Sequence, residues 1–187
     1  MKYNKKILMI SYGDDSFHTN KANVLNRHLN YSTFFDFFFI IHLTKTKNLE
    51  ELKFDKLHIL PVYCSNYFFS IFKIVPFLFS SKQFQNYNVV TTQDPFLTGF
   101  YGLLFKLSYG FKLHVQNHSV YINNKSWLKE RRFNYFLNFL GKLIVRCADR
   151  LRVVNSSEKL IYINDLKIKP DLVDVAPVPI DNEFWSK

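Results

Sequence analysis

Short apolar runs alternate along the chain with longer segments in which apolar residues recur at helical spacing. The runs are rich in aromatic and β-branched residues and predict strands at residues 6–12, 33–43, 56–63, 88–92, 112–116, 150–155 and 172–178. The segments between them predict helices at residues 19–29, 66–80, 96–109, 126–146 and 156–163. This alternation predicts an α/β fold, a Rossmann-like parallel sheet with helices on both faces.

The length and composition predict a single folded domain over residues 1–187. A chain of this length can bury one good core but is short for two. Hydrophobic residues make up 48% and charged residues 21%, a balance typical of globular rather than disordered proteins. No repeat, low-complexity tract or linker divides the sequence.

The formal net charge of +10 indicates attraction to an anionic partner. Lysine and arginine are dispersed, with one denser region over residues 125–152, and no nucleic-acid recognition motif is present, so we do not expect a nucleic-acid binder. A phosphate-bearing ligand or a peripheral anionic membrane contact fits better, although an ordinary solvated helix face is an equal alternative. In the predicted helix 126–146 we expect an inward face and a cationic solvent face. The inward face is formed by Trp127, Leu128, Phe136, Leu137, Leu140, Leu143 and Ile144. The solvent face is formed by Lys125, Lys129, Arg132 and Lys142.

Targeting and metal-binding signals are weak. The apolar run at residues 7–10 is too short for a signal-peptide core, and Cys64 and Cys147 predict two reduced thiols in the cytoplasm. No cofactor or metal site is predicted, because no set of ligands has metal spacing. Segment 66–80 is apolar but too short to span a bilayer. It is either a core helix or an interfacial patch.

Polar residues gather where predicted strands end. Because parallel strands place their carboxyl ends at one edge of the sheet, where ligands bind in open α/β folds, these residues are candidate site residues. They are Gly13, Asp14 and His18 after the first strand, Gln93 and Asp94 after the fourth, and Gln116, Asn117 and His118 after the fifth.

Three of these positions have specific alternatives. Asp94, followed by Pro95, matches the start of a helix and can act as its cap instead of binding a ligand. Gly13 lets the backbone turn before a helix whose amides suit a phosphate, but no dinucleotide or P-loop motif accompanies it. His118 is a candidate site residue at the ligand edge, and a histidine bonded to nearby backbone is the alternative.

The segments "TQDPFLTGFYGLLFKLSYGFKLHVQNHS" and "ADRLRVVNSSEKLIYINDLKIKPDLVDVAPVPIDNEFW" resemble the amino-terminal half of family-4 retaining glycosyltransferases of the GT-B type. The shared order is a strand ending at "DP", a helix, a strand ending near a histidine, a long helix, "ADRLRVVN" and "VPID". The resemblance covers residues 89–185 and is loose before them.

The resemblance implies an acceptor-binding domain that faces a separate domain holding a nucleotide-sugar donor. It implies that Gly13 and its neighbours approach the donor, that His118 lies beside the reacting sugar as a catalytic residue, and that Gln93 and Asp94 lie near the acceptor. It also implies a glycan or lipid-linked acceptor at the inner face of a membrane. The loop "GDDSFHTN" lacks the family's glycine pair, and no donor-binding motif follows "VPIDNEFWSK".

We therefore expect the acceptor-binding half of a retaining glycosyltransferase, which needs a donor-binding domain on another chain or in a longer parent protein. The alternative is a stand-alone, non-catalytic module that binds a phosphorylated sugar or an anionic lipid.

Overall fold

A computed structural model of the chain describes residues 5–13, 15–20, 23–84 and 86–177. Within these ranges the chain forms one eight-stranded sheet. The strands are β1 (Lys6–Gly13), β2 (Phe37–Thr44), β3 (Leu52–Lys53), β4 (Leu57–Tyr63), β5 (Val89–Thr92), β6 (Lys112–Gln116), β7 (Arg150–Val153) and β8 (Val173–Val175). Their order is β3-β4-β2-β1-β5-β6-β7-β8, and every neighbouring pair is parallel except β3 with β4.

The helices between the strands are α1 (Ser16–Thr19), α2 (Val24–Ser32), α3 (Ile71–Leu78), α4 (Ser81–Phe84), α5 (Leu97–Tyr109), α6 (Lys125–Glu130), α7 (Phe133–Cys147) and α8 (Ser156–Asn164). Short 3₁₀ turns at Tyr67–Ser70 and Pro170–Leu172 precede α3 and β8. The predicted α/β fold with a parallel sheet is confirmed.

One face of the sheet, here called the first face, carries the larger core. Leu8, Val90, Leu113 and Leu151 on successive strands are buried there, with α3, α4, α5, α7 and α8 packed over them. Gly102 of α5 lets that helix approach closely, because a Cβ at this position would lie 2.5 Å from Cγ2 of Thr92.

The opposite, second face carries a smaller core on one side only. Met9, Phe38, Ile40, Leu57 and Ile59 are buried beneath α1 and α2, which cover β1, β2 and β4. Among the described residues no helix packs on the second face of β5 to β8. That uncovered half of the sheet holds the candidate site.

Several predicted boundaries differ from the structure. The single helix predicted at 19–29 is two helices, and Asn20 and Asn23 beside the junction have positive φ values of 50° and 53°. The strand predicted from residue 33 begins at Phe37, because α2 continues to Ser32. The short antiparallel strand β3 was not predicted, and the last strand is shorter than expected, with residue 178 of the predicted range outside the described residues.

The helix predicted at 126–146 is broken, which changes the face it presents. Arg131 is extended (φ −149°, ψ 138°) and separates α6 from α7. The break shifts the helical phase, so Asn134 and Asn138 point inward, while Phe136 and Leu143, expected inside, are 54% and 43% exposed. The buried amides have partners: Asn134 Nδ2 donates to the Trp127 carbonyl at 2.7 Å, and Asn138 Oδ1 accepts from the Asn123 amide at 3.0 Å.

Candidate functional site

The uncovered half of the second face borders an open cavity of about 1160 Å³, here called the sheet cavity. Every second residue of the strands lines it, because alternate side chains of a strand point to the same face. The lining residues are Ile7 and Met9 of β1, Val89, Thr91 and Gln93 along β5, Lys112, His114 and Gln116 of β6, Arg150 and Arg152 of β7, and Asp174 of β8, with Arg27, His28, Tyr31, Phe34, Phe35, Phe38, Leu113, His118, Asp149, Ala176 and Pro177 around them.

His118 lies two residues beyond the end of β6, exposed at the carboxyl edge of the sheet and at the rim of the sheet cavity. Partial burial of the ring lowers the pKa of His118, and the nearby guanidinium groups of Arg152 and Arg27 lower it further. The imidazole is therefore neutral at neutral pH, and it can both donate and accept a hydrogen bond.

Arg27 and Arg152 are site residues that our sequence analysis missed. Both line the sheet cavity, both act electrostatically on His118, and among the described residues neither guanidinium has a carboxylate within ion-pair distance. We call Arg27, Gln93, Gln116, His118 and Arg152 the edge cluster. Two uncompensated guanidinium groups in a concave surface favour an anionic ligand, and the planar fork of N–H donors on each guanidinium matches a pair of phosphate or carboxylate oxygens.

A sequence signal for this surface exists. Polar and apolar residues alternate strictly in β6 ("KLHVQ") and β7 ("RLRV"), whereas β2 ("FFFIIHLT") is almost continuously apolar. Parallel strands covered on both faces are usually apolar throughout. The alternation therefore indicates that one face of β6 and β7 has no apolar cover.

A chain of hydrogen bonds orders the polar side chains of the sheet cavity. Arg152 Nη1 donates to Gln116 Oε1 at 3.1 Å, and Gln116 Nε2 donates to Thr91 Oγ1 at 3.1 Å. Thr91 Oγ1 also lies 2.9 Å from His114 Nδ1. Burial, followed by the charge of Arg152, lowers the pKa of His114 to about 4, so this ring is neutral. The network fixes Gln116 and Arg152 in position before any ligand arrives.

The residues predicted after the first strand lie elsewhere. Gly13 ends β1 opposite Thr44 and does not line the sheet cavity. His18 lies on α1, where its Nε2 donates to the carbonyl of Glu50 at 2.6 Å. Asp14 lies outside the described residues. The structure therefore brings Gln93, Gln116 and His118 together, without Gly13 or His18.

Asp94 caps the helix that follows it. Its Oδ1 accepts from the Phe96 amide at 2.7 Å, and its Oδ2 accepts from the amide and hydroxyl of Thr98 at 3.2 and 2.5 Å. Burial raises the pKa of this carboxyl, and the hydrogen bonds offset only part of that effect. Both carboxylate oxygens are occupied, and the side chain does not line the sheet cavity.

Asn117 points to the first face, away from the sheet cavity. Its Nδ2 donates to Oε1 of Glu158 and, at 3.0 Å, to the hydroxyl of Tyr162. Glu158 is buried, and this burial raises its pKa to about 7. The three side chains form a buried polar cluster that joins the end of β6 to α8.

The composition of the edge cluster favours an anion over a cation. Two arginines, a neutral histidine and two amide side chains surround an open cavity, and hydrogen-bond donors dominate the edge cluster. Within the described ranges no three His, Cys, Asp or Glu side chains converge as metal ligands would. In the same ranges no helix combines the length and the apolar character needed to cross a bilayer.

Three solved structures share this fold. They are the UDP-GlcNAc 2-epimerase of Methanocaldococcus jannaschii (TM-score 0.58, 16% identity, covering 91% of this chain and 45% of that one), Anabaena Alr3699/HepE in complex with UDP and glucose (0.60, 8%, 97% and 46%) and a putative UDP-N-acetylglucosamine 2-epimerase of Listeria monocytogenes (0.56, 13%, 91% and 45%). No protein-family model and no curated protein matches the chain.

The similarity is to half of each of these proteins, since the chain spans less than half the length of each. The chain thus has the fold of one Rossmann-like half of a GT-B protein. Two of these proteins are named as UDP-GlcNAc 2-epimerases, one of them putative, and the third was solved in complex with UDP and glucose.

Proposed function

We propose that the chain is the acceptor-binding half of a retaining glycosyltransferase of the family-4, GT-B type. A donor-binding half, on another chain or in a longer parent protein, supplies the nucleotide-sugar. The observation that carries this proposal is the edge cluster, an uncompensated cationic pocket with a neutral histidine at the ligand edge of half a GT-B fold.

The edge cluster supports a division of roles. Arg27 and Arg152 bind a phosphate or carboxylate of the acceptor, because each offers a planar fork of donors. Gln93 and Gln116 orient neighbouring hydroxyl groups. His118 acts as the catalytic residue: it donates a hydrogen bond to the sugar being transferred and stabilises charge that develops there. No metal or cofactor is needed for these roles.

A separate surface, on α7, supports a lipid-linked acceptor at the inner face of a membrane. Phe133, Phe136 and Phe139 of α7 are 52–59% exposed, and Arg131, Arg132 and Arg146 lie at the ends of that helix. Aromatic and cationic residues together are typical of surfaces that contact anionic bilayers. We propose that α7 contacts the membrane that carries the acceptor.

The decisive experiment measures UDP release and sugar transfer from UDP-glucose or UDP-GlcNAc. The chain is assembled with a donor-binding half, either co-expressed or in its parent protein, and each half alone serves as the control. Transfer with retention of the anomeric configuration only in the assembled protein supports the proposal. Epimerised nucleotide-sugar without UDP release identifies an epimerase, and ligand binding without turnover identifies a binding module. Either result overturns the proposal.

A further inference from the structure

Glu158 lies in the first turn of α8, where a glutamate is ordinarily exposed to solvent, yet it is only 1% exposed. Asn155 caps this helix, since its Oδ1 accepts from the Glu158 amide at 2.8 Å. An asparagine cap followed three residues later by a glutamate is the sequence pattern of a capping box. In that motif the glutamate carboxylate bonds back to the amide of the capping residue. Here the carboxyl group points into the interior and bonds to other groups.

The carboxyl group of Glu158 joins the ends of two neighbouring strands. Its Oε2 accepts from the backbone amide of Val154, the first residue after β7, at 3.3 Å. Its Oε1 accepts from Nδ2 of Asn117, the first residue after β6. The backbone amide of Asn117 in turn donates to the carbonyl of Arg152 at 2.7 Å. We call Asn117, Arg152, Val154 and Glu158 the strand-end link.

The strand-end link shares its backbone with the edge cluster. His118 directly follows Asn117, and Arg152 belongs to both sets. Asn117 and Glu158 lie on the first face of the sheet, whereas His118 and Arg152 border the sheet cavity. A movement of either strand end therefore moves a cavity side chain, although the link itself lies on the other side of the sheet.

The polar groups of the strand-end link are costly for stability. A buried carboxyl group destabilises the folded state unless it is paired, and no cation of the described residues lies within ion-pair distance of Glu158. Asn117 Oδ1 is also buried and has no hydrogen-bond partner in the part of the chain that the structure describes. Local choices that cost stability are typical of functional sites. The arrangement therefore favours a role beyond holding α8 on the sheet.

We propose that Glu158 is a positioning residue for the edge cluster. Its carboxyl group fixes the end of β6 relative to the end of β7, and this holds the His118 imidazole and the Arg152 guanidinium in their places beside the ligand. Glu158 does not line the sheet cavity and acts only through these two residues. The inference rests on the function proposed for the edge cluster and adds to it a residue from the opposite face of the sheet.

The test compares Glu158→Leu, which removes both acceptors, with Glu158→Gln. Glutamine keeps an acceptor for the Val154 amide and an N–H donor, to which the Asn117 amide can present its oxygen by turning over. NMR follows the guanidinium signal of Arg152 and the imidazole signals of His118 without any ligand. In Glu158→Leu we expect both sets of signals to shift and the pKa of His118 to rise toward its ordinary value, because the charge of Arg152 is no longer held beside the imidazole. Glu158→Gln should keep the signals near those of the parent protein.

Function is measured on the same variants. The affinity for inorganic pyrophosphate and the kcat of the assembled enzyme should each fall by about fivefold or more in Glu158→Leu, because small displacements of positioned groups are costly. Tyr101→Phe is the matched control. It removes another buried hydrogen bond, the one between the hydroxyl groups of Tyr101 and Ser70 at 2.5 Å. It should lower the melting temperature without shifting the His118 and Arg152 signals.

If Glu158→Leu does not fold, Asn117→Ala breaks the strand-end link from the other side and should shift the same signals. Unshifted signals in a folded link variant would overturn the proposal, and so would equal shifts in Tyr101→Phe or Glu158→Gln. Failure of both link variants to fold would make the link a part of the core and also overturn it. A parent protein that does not bind pyrophosphate contradicts the function proposed for the edge cluster, whereas the ligand-free NMR signals still decide the role of Glu158.

Discussion

Arg152 and Gln116 are joined across neighbouring strands by a 3.1 Å hydrogen bond from Nη1 to Oε1, and this bond holds the guanidinium in the pocket that His118 borders. Because the charge of Arg152 lowers the pKa of His118, Arg152→Gln should raise that pKa. NMR titration of the imidazole signals measures the shift. Lys129→Gln, on exposed α6, removes the same charge and should leave His118 unchanged; an equal shift in both variants would contradict the arrangement.

His118→Ala should lower turnover of the assembled enzyme far more than it lowers folding stability. If the imidazole stabilises developing charge, the expected loss in kcat is on the order of 10²-fold or more, as for the loss of one preorganised donor. Steady-state kinetics and thermal melting of the same preparation separate the two effects. His18→Ala is the matched control, since His18 lies on α1 away from the cavity. Unchanged turnover in His118→Ala would refute its catalytic role.

Asp94→Ala should destabilise the protein because it removes the acceptor for the amides of Phe96 and Thr98. Loss of such a cap costs about 0.5–2 kcal/mol, and its burial in this protein favours the upper end. Chemical denaturation measures the change. Asp94→Asn keeps one oxygen acceptor and should lose less. The affinity of the edge cluster for inorganic pyrophosphate should stay the same in both variants. A loss of affinity without a loss of stability would show that Asp94 contributes to ligand binding.

The sequence predicted the sheet well because its signals are local. The residues of a buried strand such as β2, or of a helix such as α5, are enough to identify the element as a strand or a helix. The alternation of strands and helices then places the strand ends at one edge of the sheet. The face of the sheet to which a side chain points is harder to predict from local sequence. Asn117 and His118 are adjacent, yet one contacts Glu158 in the interior and the other borders the cavity. The difference depends on which residues of the strand face each side of the sheet. Identifying polar residues at strand ends does not provide this information.

Long-range partners explain the other differences. Arg27 lies on α2, and only the folding of α2 onto the second face brings it to the same cavity as His118. The two-residue break before α7 could not be anticipated from periodicity, because segment 126–146 has apolar residues on several sides. The buried amides of Asn134 and Asn138 select the inward face through bonds to Trp127 and Asn123, which are contacts outside α7.

Glu158 should make stability depend on pH. Burial raises the folded pKa of Glu158 to about 7, above the ordinary value of 4.5 for a glutamate, so the folded state holds the proton more tightly. The stabilisation that protonated Glu158 contributes to the folded state is complete below about pH 4.5. The free energy of unfolding then falls as the pH rises toward 7. Each pKa unit corresponds to about 1.4 kcal/mol, so the full effect of the difference between 4.5 and about 7 is roughly 3.5 kcal/mol. Glu158→Gln should abolish this part of the pH dependence in urea denaturation between pH 4 and 8 (roughly the span of the two pKa values). Exposed Glu130→Gln should preserve it, and identical profiles for Glu158→Gln and the parent would contradict the assignment.

The exposed aromatic side of α7 is the proposed membrane contact. Phe136→Ser/Phe139→Ser removes two side chains that are 54% and 59% exposed and contribute little to the core. If these rings enter the interface of an anionic bilayer, the double substitution should weaken vesicle binding by tenfold or more, at roughly 1 kcal/mol per ring. Co-sedimentation with phosphatidylcholine vesicles, with and without phosphatidylglycerol, measures it. Binding should require the anionic lipid and weaken as salt rises, because each arginine near the surface contributes about 1 kcal/mol.

Phe72→Ser/Phe79→Ser is the matched control, since these rings on and beside α3 are 71% and 81% exposed. It should leave vesicle binding intact, because α3 contains only Lys73 as a cation whereas Arg131, Arg132 and Arg146 flank α7. Arg131→Gln/Arg132→Gln should reduce binding to anionic vesicles by at least tenfold at low salt and have little effect at high salt. A loss confined to the α3 variant would move the membrane contact to the apolar segment 66–80. Vesicle binding that is independent of both salt concentration and lipid charge would show that the positive charge of α7 has no role in membrane contact.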